Sequence, residues 1–370
     1  MKRRQNTEII KQSINNKKKL LITTFEDLSN ELIYEIFDYF DYFFIYEIFS
    51  KFNLRFQSLS INSSLVLKIN LSLTSKSIFQ NYYKSIINPN IKRIISLNIT
   101  KYFLDYFSIN LFSSLQCLII YQIQSDKICQ LINHLNCLPN FSSVSLYSSD
   151  YFENENSIYL SIFRLSKLKF CKLTFPSGGQ RIPLPLATDQ CQTLERLILN
   201  GQVRLDQLIS ILSYAPKLYH LSCEYLYDIK ENHFSLVELT KILSLLPNLQ
   251  SLTLPNILPF QSKRIETTKL ISRYNRITKV IIDDDECELK HVHYLIHLFP
   301  RLQYLEIGID ENNLEEILRY LLSKAKSLFS LFLLNINYKV IENIQKLIKN
   351  ENLIHDYTIE HIHGGLYLWW

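Results

Sequence analysis

The chain has 370 residues, of which 47% are hydrophobic and 20% are charged, with a formal net charge of +5. This composition can bury a large core, and no uncharged apolar run reaches the roughly 18 residues that a membrane span needs, which excludes a membrane partner and predicts a soluble protein. Seven cysteines, an odd number, favour free thiols in a reducing compartment, so we expect the cytoplasm, the nucleus or both.

Most of the positive charge lies at the start of the chain. Residues 1–19 carry seven basic side chains against one acidic side chain, Glu8, which leaves the rest of the chain close to neutral. They lack the apolar stretch of a secretory signal. We predict a basic disordered tail over residues 1–20, with a nuclear address or a phosphate-binding arm as alternatives.

The segment from Phe25 to Leu59 has helical spacing. Two apolar stripes recur at intervals of three and four residues, separated by a short turn around Asp41. The stripes are Leu32/Ile33/Ile36/Phe37/Phe40 and Ile45/Ile48/Phe49/Phe52. This pattern predicts a compact helical hairpin and a small all-α domain over residues 21–65.

A repeat occupies the remainder of the chain. The pattern apolar-x-x-apolar-x-apolar recurs eleven times between Ile94 and Ile359, at intervals of about 26 residues. This interval is typical of leucine-rich repeats. The anchors are Ile94/Leu97/Ile99, Leu115/Leu118/Ile120, Phe141/Val144/Leu146, Leu168/Cys171/Leu173, Leu194/Leu197/Leu199, Leu218/Leu221/Cys223, Leu249/Leu252/Leu254, Ile277/Val280/Ile282, Leu302/Leu305/Ile307, Leu328/Leu331/Leu333 and Ile354/Tyr357/Ile359.

The segments between the anchors switch to helical periodicity. Apolar stripes predict helices at Ile128–Leu135, Leu205–Leu212, Leu236–Leu243, Leu289–Ile296 and Leu314–Leu321. Strand, helix and returning strand make β-α-β units, so we expect parallel strands inside and helices outside. Because one unit cannot bury enough apolar surface alone, residues 66–370 are predicted to form a single α/β leucine-rich-repeat solenoid of about eleven repeats.

Strand side chains that alternate with the anchors are expected to line the inner, concave sheet. They include aromatic, aliphatic, hydroxyl and oppositely charged groups, which suits a protein partner better than a nucleic acid. The predicted substrate-binding residues are Phe170, Lys172, Arg196, His220, Tyr304, Glu306 and Phe332.

The predicted helical hairpin resembles an F-box. The family pattern Leu-Pro-x-Glu-Leu/Ile-x-x-x-Ile-Phe-x-Tyr-Leu is similar to the run from Leu28 to Phe40, and a later helix followed by a basic and an aromatic residue is similar to Ile45 to Phe56. The resemblance covers about 35 residues. Ser29 replaces the family's proline, and Phe56 its tryptophan. Serine can also begin a helix, as a cap.

This resemblance implies a role in ubiquitin transfer. F-box proteins followed by leucine-rich repeats act as substrate-recognition adaptors of Skp–cullin–F-box ubiquitin ligases, so the implied partners are the Skp-family adaptor and a protein substrate. A monomer that is not itself an enzyme is expected. Transferred position by position, the adaptor-binding residues are Leu28, Glu31, Leu32, Ile36, Phe37, Phe40, Ile45, Ile48 and Phe49.

The alternative is a leucine-rich-repeat scaffold or sensor without a ligase role, in which the N-terminal helices only cap the solenoid.

Motifs for catalysis and cofactors are missing from the sequence. The six glycines form no phosphate-binding loop, and neither G-x-S-x-G nor Cys-x-x-Cys occurs. His293 and His297 have the spacing of a zinc pair but lack the glutamate of a metalloprotease helix, and the acidic run from Asp283 to Glu286 lacks a glycine turn. We therefore expect no metal and no cofactor.

Overall fold

The computed structural model describes residues 24–62, 64–72, 74–148, 150, 155–176, 184–187, 190–227, 236–255, 275–283, 287–362 and 364–370. The chain divides into two compact units, Met1–Asn70 and Leu71–Trp370. The boundary predicted between residues 65 and 66 lies next to this division. The predicted basic tail and the acidic residues 284–286 lie outside the described residues.

The first unit contains short helices that begin at polar caps. The side chains of Ser29, Asp41 and Asn53 each accept a hydrogen bond from a backbone amide in the first turn of the following helix. Three helices therefore occupy the segment where the sequence predicted two. The elements are a 3-10 turn at Phe25–Asp27, α1 at Asn30–Phe37, α2 at Tyr42–Phe49, α3 at Leu54–Ser60 and β1 at Leu67–Asn70.

Aromatic rings hold these helices together. The Phe37 ring lies 4.9 Å from the Phe49 ring, and Phe25 stacks on both Phe49 and Phe56 at 5.6 and 5.3 Å. Such contacts between rings add about 0.5–1.5 kcal/mol per pair beyond simple burial. The first unit is therefore organised around phenylalanine side chains.

Arg55 on α3 fastens the segment that precedes α1. Its guanidinium donates hydrogen bonds to the backbone oxygens of Glu26 and Leu28, at 2.6 and 2.5 Å, and to the Asn30 side-chain oxygen. Because a guanidinium offers five donors in a rigid plane, one side chain can satisfy several acceptors in this way.

The second unit is α/β, with a mostly parallel sheet. The strands follow one another in chain order from β2 to β11, each parallel to the next. They are β2 at Ile94–Thr100, β3 at Cys117–Ile123, β4 at Ser143–Ser148, β5 at Phe170–Thr174, β6 at Arg196–Arg204, β7 at His220–Tyr227, β8 at Ser251–Pro255, β9 at Lys279–Asp283, β10 at Tyr304–Gly308 and β11 at Ser330–Leu334.

The same pair of backbone hydrogen bonds recurs at the start of successive strands. The Gln116 carbonyl accepts from the amides of Ser142 and Ser143, at 3.0 and 2.9 Å, and the Ser142 carbonyl accepts in the same way from the next strand. The pattern continues along the chain at the carbonyls of Lys169, Glu195, Tyr219, Gln250, Thr278 and Gln303. The sequence repeat is therefore matched by a repeated backbone geometry.

Helices fill most of the connections between strands, and neighbouring helices pack on each other. All five helices predicted from apolar stripes are found, with bounds a few residues longer. The helices are α4 at Lys76–Tyr82, continued by a π-helical turn at Tyr83–Ile87 and α5 at Asn88–Asn90, then α6 at Lys101–Leu104, α7 at Ser125–Leu135, α8 at Glu155–Phe163, α9 at Leu205–Ser213, α10 at Leu236–Leu245, α11 at Leu289–Leu298, α12 at Leu314–Lys324 and α13 at Ile341–Glu351.

The core of the second unit is built from the predicted anchors. All ten anchor sets from Ile94 to Leu333 are buried, and most residues that alternate with them along the strands are partly exposed, except Ser145 and Ser330, which are buried. The apolar faces of the helices are buried as well, for example Leu208, Ile211 and Leu212 of α9. Strand anchors and helix stripes therefore share one interior.

The eleventh repeat was predicted wrongly. Ile354, Tyr357 and Ile359 are not buried, and the strand in this segment, β12 at Thr358–Ile362, does not pair with β11. The chain instead turns at Gly364 (φ +80°), and β13 at Gly365–Trp369 pairs antiparallel with both β11 and β12. The buried leucines of this last layer are Leu366 and Leu368, opposite Leu333 and Leu331.

Within the described part of the chain, no helix has both the length and the apolar character that crossing a bilayer requires.

Candidate functional site

The strands of the second unit present two rows of side chains on the face opposite the anchors, called here the anchor-free face. The strand register aligns each row across the sheet. The first row is Ser96, Cys117, Ser143, Phe170, Arg196, His220, Ser251, Lys279, Tyr304, Ser330 and Trp369. The second row is Asn98, Ile119, Ser145, Lys172, Ile198, Ser222, Thr253, Ile281, Glu306, Phe332 and Tyr367.

The seven predicted substrate-binding residues all lie in these rows. Arg196 is exposed and the other six are half-buried. The first row contains Phe170, Arg196, His220 and Tyr304, and the second contains Lys172, Glu306 and Phe332. The structure thus brings the predicted side chains onto one face of the sheet.

Three cations on this face each lie over an aromatic ring of a neighbouring strand. The distances from cation to ring centre are 5.4 Å for Lys172 over Tyr147, 5.5 Å for Arg196 over Phe170 and 4.3 Å for Lys279 over Tyr304. No salt bridge between described residues includes any of these cations. We call Lys172, Arg196 and Lys279 the cation band.

His220 stands in the first row between Arg196 and Lys279. Burial lowers the pKa of His220, and the positive charges of Arg196 and Lys279 lower it further. The imidazole therefore favours its neutral form, so the cations of this face gain no additional charge from it near neutral pH.

Aromatic side chains gather beside the cation band. The Tyr367 ring lies 5.3 Å from Phe332, 5.3 Å from Trp369 and 6.3 Å from Tyr304. We call Tyr304, Phe332, Tyr367 and Trp369 the aromatic cluster. The Tyr304 hydroxyl donates a hydrogen bond of 2.7 Å to Glu306. Burial and this carboxylate raise the pKa of Tyr304, which keeps the phenol protonated.

Gly365 makes room for this cluster. A Cβ atom at Gly365 would lie 2.5 Å from the Phe332 ring and 2.8 Å from the Leu333 carbonyl oxygen. A side chain there would displace the ring or the strand.

Sequence reasoning missed several residues of this face. The period-two alternation of strands places Lys279 on this face, in the same row as four predicted residues, but Lys279 was not among the predicted substrate-binding residues. Tyr367 and Trp369 belong to the last antiparallel strand, which no repeat template aligns with the face. That each cation lies over a ring depends on the side-chain conformations, which the spacing of residues does not contain.

An open cleft of about 880 Å³ lies at the carboxyl ends of β2 to β4. Tyr102, Tyr106, Tyr121, Tyr147 and Lys76 are among its lining residues. The rings of Tyr121 and Tyr147 stack at 4.6 Å. The cleft therefore adjoins the ring that lies beneath Lys172.

In the first unit, the structure divides the predicted adaptor-binding residues by exposure. Leu32, Phe40 and Ile48 are 46, 36 and 42% exposed, whereas Phe37 and Ile45 are each 2% exposed. Glu31 is exposed, and Leu28, Ile36 and Phe49 are half-buried. Hydrogen bonds from its own backbone amide and from Ser29 lower the pKa of Glu31, so this side chain is a carboxylate near neutral pH.

Phe44 joins the exposed residues, although the sequence did not predict it. It is 43% exposed, and its ring stacks on Phe40 at 5.0 Å. Phe44 and Ile48 are one helical turn apart and so share a face of α2. We call Leu32, Phe40, Phe44 and Ile48 the exposed apolar set. Contiguous exposed apolar side chains, such as the stacked Phe40 and Phe44, can mark contact sites.

Side chains with nucleophilic or metal-binding chemistry are dispersed. In the described ranges, no three histidine, cysteine or acidic side chains come together in a way that could hold a metal ion. The His293 ring stacks on Tyr320 at 3.7 Å, and His297 Nδ1 lies 2.8 Å from the His293 carbonyl oxygen. Burial raises the pKa of the Cys223 thiol to about 12, which makes it unreactive at neutral pH.

No family model matches the chain, and no curated protein matches its sequence. The exposed apolar set and the anchor-free face are the two surfaces of the described residues from which a function can be inferred.

Proposed function

We propose that this protein is a substrate-recognition adaptor of a Skp–cullin–F-box-type ubiquitin ligase. The first unit binds the Skp-family adaptor, and the anchor-free face of the second unit binds a protein substrate. The chain has no catalytic step of its own under this proposal, because other subunits of the ligase transfer the ubiquitin.

The observation that carries the proposal is the exposure of apolar side chains at positions that match the F-box pattern. Leu32, Phe40 and Ile48 face solvent, while Ile33, Phe37 and Ile45 of the same helices are buried. Because these side chains are 36–46% exposed, a partner that covers them can gain about 0.5–1.5 kcal/mol of burial free energy for each.

The exposure pattern also narrows the proposed contact set. Phe37 and Ile45 support the helices from within, so they affect adaptor binding through the positions of their neighbours. Direct contact is assigned to Leu32, Phe40 and Ile48, with Phe44 added. Glu31 is an exposed carboxylate, so under this proposal it accepts a hydrogen bond from the adaptor.

We further infer that the second unit is a leucine-rich-repeat solenoid. Support comes from the ten buried anchor sets, the parallel strands in chain order and the repeated hydrogen bonds at the start of each strand. The terminal β12–β13 hairpin would then close the end of the repeat array, since an uncapped array exposes its core.

Co-purification with the Skp-family adaptor tests the proposal. Leu32→Asp and Ile48→Asp in the full-length chain are expected to abolish capture of that subunit, because each places a charge in an apolar interface. Leu54→Asp is the matched control, since Leu54 is 84% exposed and also lies in the first turn of a helix. Each variant should keep the helical signal and melting temperature of the wild type.

Loss of capture by Leu32→Asp with retention by Leu54→Asp supports the docking role. Equal capture of the adaptor by all variants, or no capture by the wild type, contradicts it. The second of these outcomes favours a scaffold or sensor whose N-terminal helices serve only as a cap, and deletion of residues 1–60 should then unfold or aggregate the second unit.

A further inference from the structure

We propose that the anchor-free face recognises an acidic, extended protein segment, whose carboxylates pair with the cation band and whose bulky apolar side chain packs on the aromatic cluster. This inference deepens the proposed function, because it names the class of substrate for the same face. It can nevertheless be tested without the ligase adaptor.

The cations of the band have rings beneath them and form no salt bridge with a described residue. Lys172, Arg196 and Lys279 are each held over a ring at 4.3–5.5 Å, and the salt bridges of the described residues leave all of them unused. The rings limit the freedom of these long side chains before a ligand arrives, which reduces the entropy lost on binding.

The local charge on the face favours an anionic ligand. Glu306 is the single carboxylate in the two rows, and it already accepts the hydrogen bond from Tyr304. The two rows therefore hold three cations against one carboxylate, a net positive charge of two with His220 neutral. A basic segment would be repelled, whereas glutamate or aspartate side chains would form charge-assisted hydrogen bonds.

The spacing of the cations sets the spacing of the acidic residues. Arg196 and Lys279 lie in the same row, separated by the strands of His220 and Ser251. Three steps between neighbouring strands correspond to roughly 14 Å. Because an extended chain rises about 3.3 Å per residue, carboxylates about four residues apart can reach both cations in a segment that crosses the strands.

The aromatic cluster lies next to Lys279, the last cation of the band along the sheet. Lys279 lies over Tyr304, and Tyr304 lies within 6.3 Å of Tyr367. Tyrosine and tryptophan are among the side chains most enriched at the hot spots of protein interfaces. An apolar residue placed next to the acidic pair would contact this cluster.

A nucleic acid fits the face less well. Contacts to phosphates commonly use more cations than the three found here. The rings of Tyr147, Phe170 and Tyr304 each have one face covered by a cation, which leaves fewer rings of the face open for bases to stack. His220 adds no charge near neutral pH, because burial and its two cationic neighbours lower its pKa.

The test uses the full-length chain and a fluorescein-labelled synthetic peptide. The peptide has two glutamates four positions apart, followed by leucine and phenylalanine, and its control has glutamine in place of each glutamate. A single-stranded RNA of similar length is the third probe. Fluorescence anisotropy at low and at physiological ionic strength gives the affinity for each.

Two triple variants share the same loss of charge. Lys172→Gln/Arg196→Gln/Lys279→Gln removes the cation band, whereas Lys217→Gln/Lys326→Gln/Lys346→Gln removes three exposed lysines elsewhere. Each variant removes three positive charges. A difference in peptide affinity between the two variants is therefore due to the positions of the charges and not to the net charge. Circular dichroism and thermal melting check that both variants fold.

The glutamate peptide is expected to bind about tenfold more weakly to the band variant than to the wild type, with less than about a twofold change for the control variant. The glutamine peptide should bind the wild-type chain about tenfold more weakly than the glutamate peptide does. If the band variant does not fold, this comparison of the two peptides on the wild-type chain tests the proposal. Equal binding of the two peptides overturns the proposal, as does RNA that binds more tightly than the glutamate peptide and depends on the band.

The two proposals fail separately. Peptide binding that depends on the band, together with no capture of the Skp-family adaptor, would retain the acidic ligand and remove the ligase role. Adaptor capture without selective peptide binding would do the reverse.

Discussion

The distinction between Phe37 and Leu32 gives the sharpest prediction for the first unit. Both residues belong to the same helix and both match the F-box pattern, but Phe37 is 2% exposed and Leu32 is 46% exposed. Replacing each with alanine should therefore separate a core role from a surface role. We expect Phe37→Ala to open the helices and Leu32→Ala to leave them closed.

The magnitudes follow from burial. Removing a buried phenylalanine ring costs about 3–5 kcal/mol, and the Phe37 ring also contacts Phe49 at 4.9 Å. Truncating a leucine that is about half exposed costs roughly 1 kcal/mol. A unit with about 45 described residues is stable by only about 2–7 kcal/mol, so the loss at Phe37 is comparable to the whole.

Hydrogen exchange measured by mass spectrometry on the full-length chain provides the assay. In Phe37→Ala, amides of α1, α2 and α3 should exchange more than about 100-fold faster, while amides of the second unit serve as an internal control. Leu32→Ala should change exchange by less than about tenfold. Equal acceleration by the two substitutions would refute the assignment of Phe37 to the core and of Leu32 to the surface.

Three further predictions concern the second unit. Gly201→Ala should lower the urea midpoint strongly, because Gly201 has φ +121° and a Cβ atom would lie 2.3 Å from the Phe175 carbonyl oxygen. Since burial and neighbouring cations lower the pKa of His220, the unfolded chain binds a proton first as the pH falls below about 6.5. The free energy of unfolding, measured by urea titration, should then decrease as the pH falls below about 6.5, and it should decrease less in His220→Asn than in the wild type. Iodoacetamide should modify the exposed Cys137 in the native chain but reach the buried Cys223, whose pKa is about 12, only after denaturation, as peptide mass mapping can show.

Local periodicity was sufficient for the regular part of the second unit. The spacing of Leu205, Leu208, Ile209 and Leu212 predicts a helix, and α9 covers Leu205–Ser213. The spacing works because 3.6 residues per turn place these side chains on one face, whatever the rest of the chain does. The ten anchor sets were predicted in a similar way, because alternate residues of a strand lie on one face of the sheet.

The three-helix arrangement of the first unit was harder to predict. The apolar stripe suggested that the first helix includes Phe40, whereas α1 ends at Phe37 and Asp41 caps α2. The Asp41 side chain also accepts a hydrogen bond from the backbone amide of Asn70, a contact across many residues of sequence. Such long-range contacts help to set helix boundaries, and the spacing of apolar residues within one helix does not predict them.

Only part of the anchor-free face could be predicted. Row membership follows from alternation along each strand, which identified Arg196 and Tyr304. Lys279 and Tyr304 each precede the second anchor of their repeat, so the repeat predicts that they are neighbours on β9 and β10. That the Lys279 amine lies over the Tyr304 ring depends on the side-chain conformations, which the spacing of residues does not contain. The chemistry of the cation band therefore needed the three-dimensional structure.

The C-terminal strand connects the end of the sheet with the composition of the proposed binding face. Because β13 runs antiparallel to β11, Tyr367 lies opposite Phe332 and Trp369 lies opposite Ser330. A parallel strand taken from the repeat pattern would have placed Tyr357 among the anchors and supplied neither ring. Leu366 and Leu368 of the same strand are buried, while Tyr367 and Trp369 are half-buried on the anchor-free face. One short strand thus closes the core with its leucines and completes the aromatic cluster with its rings, so the same five residues serve the stability of this end of the sheet and its proposed role in binding.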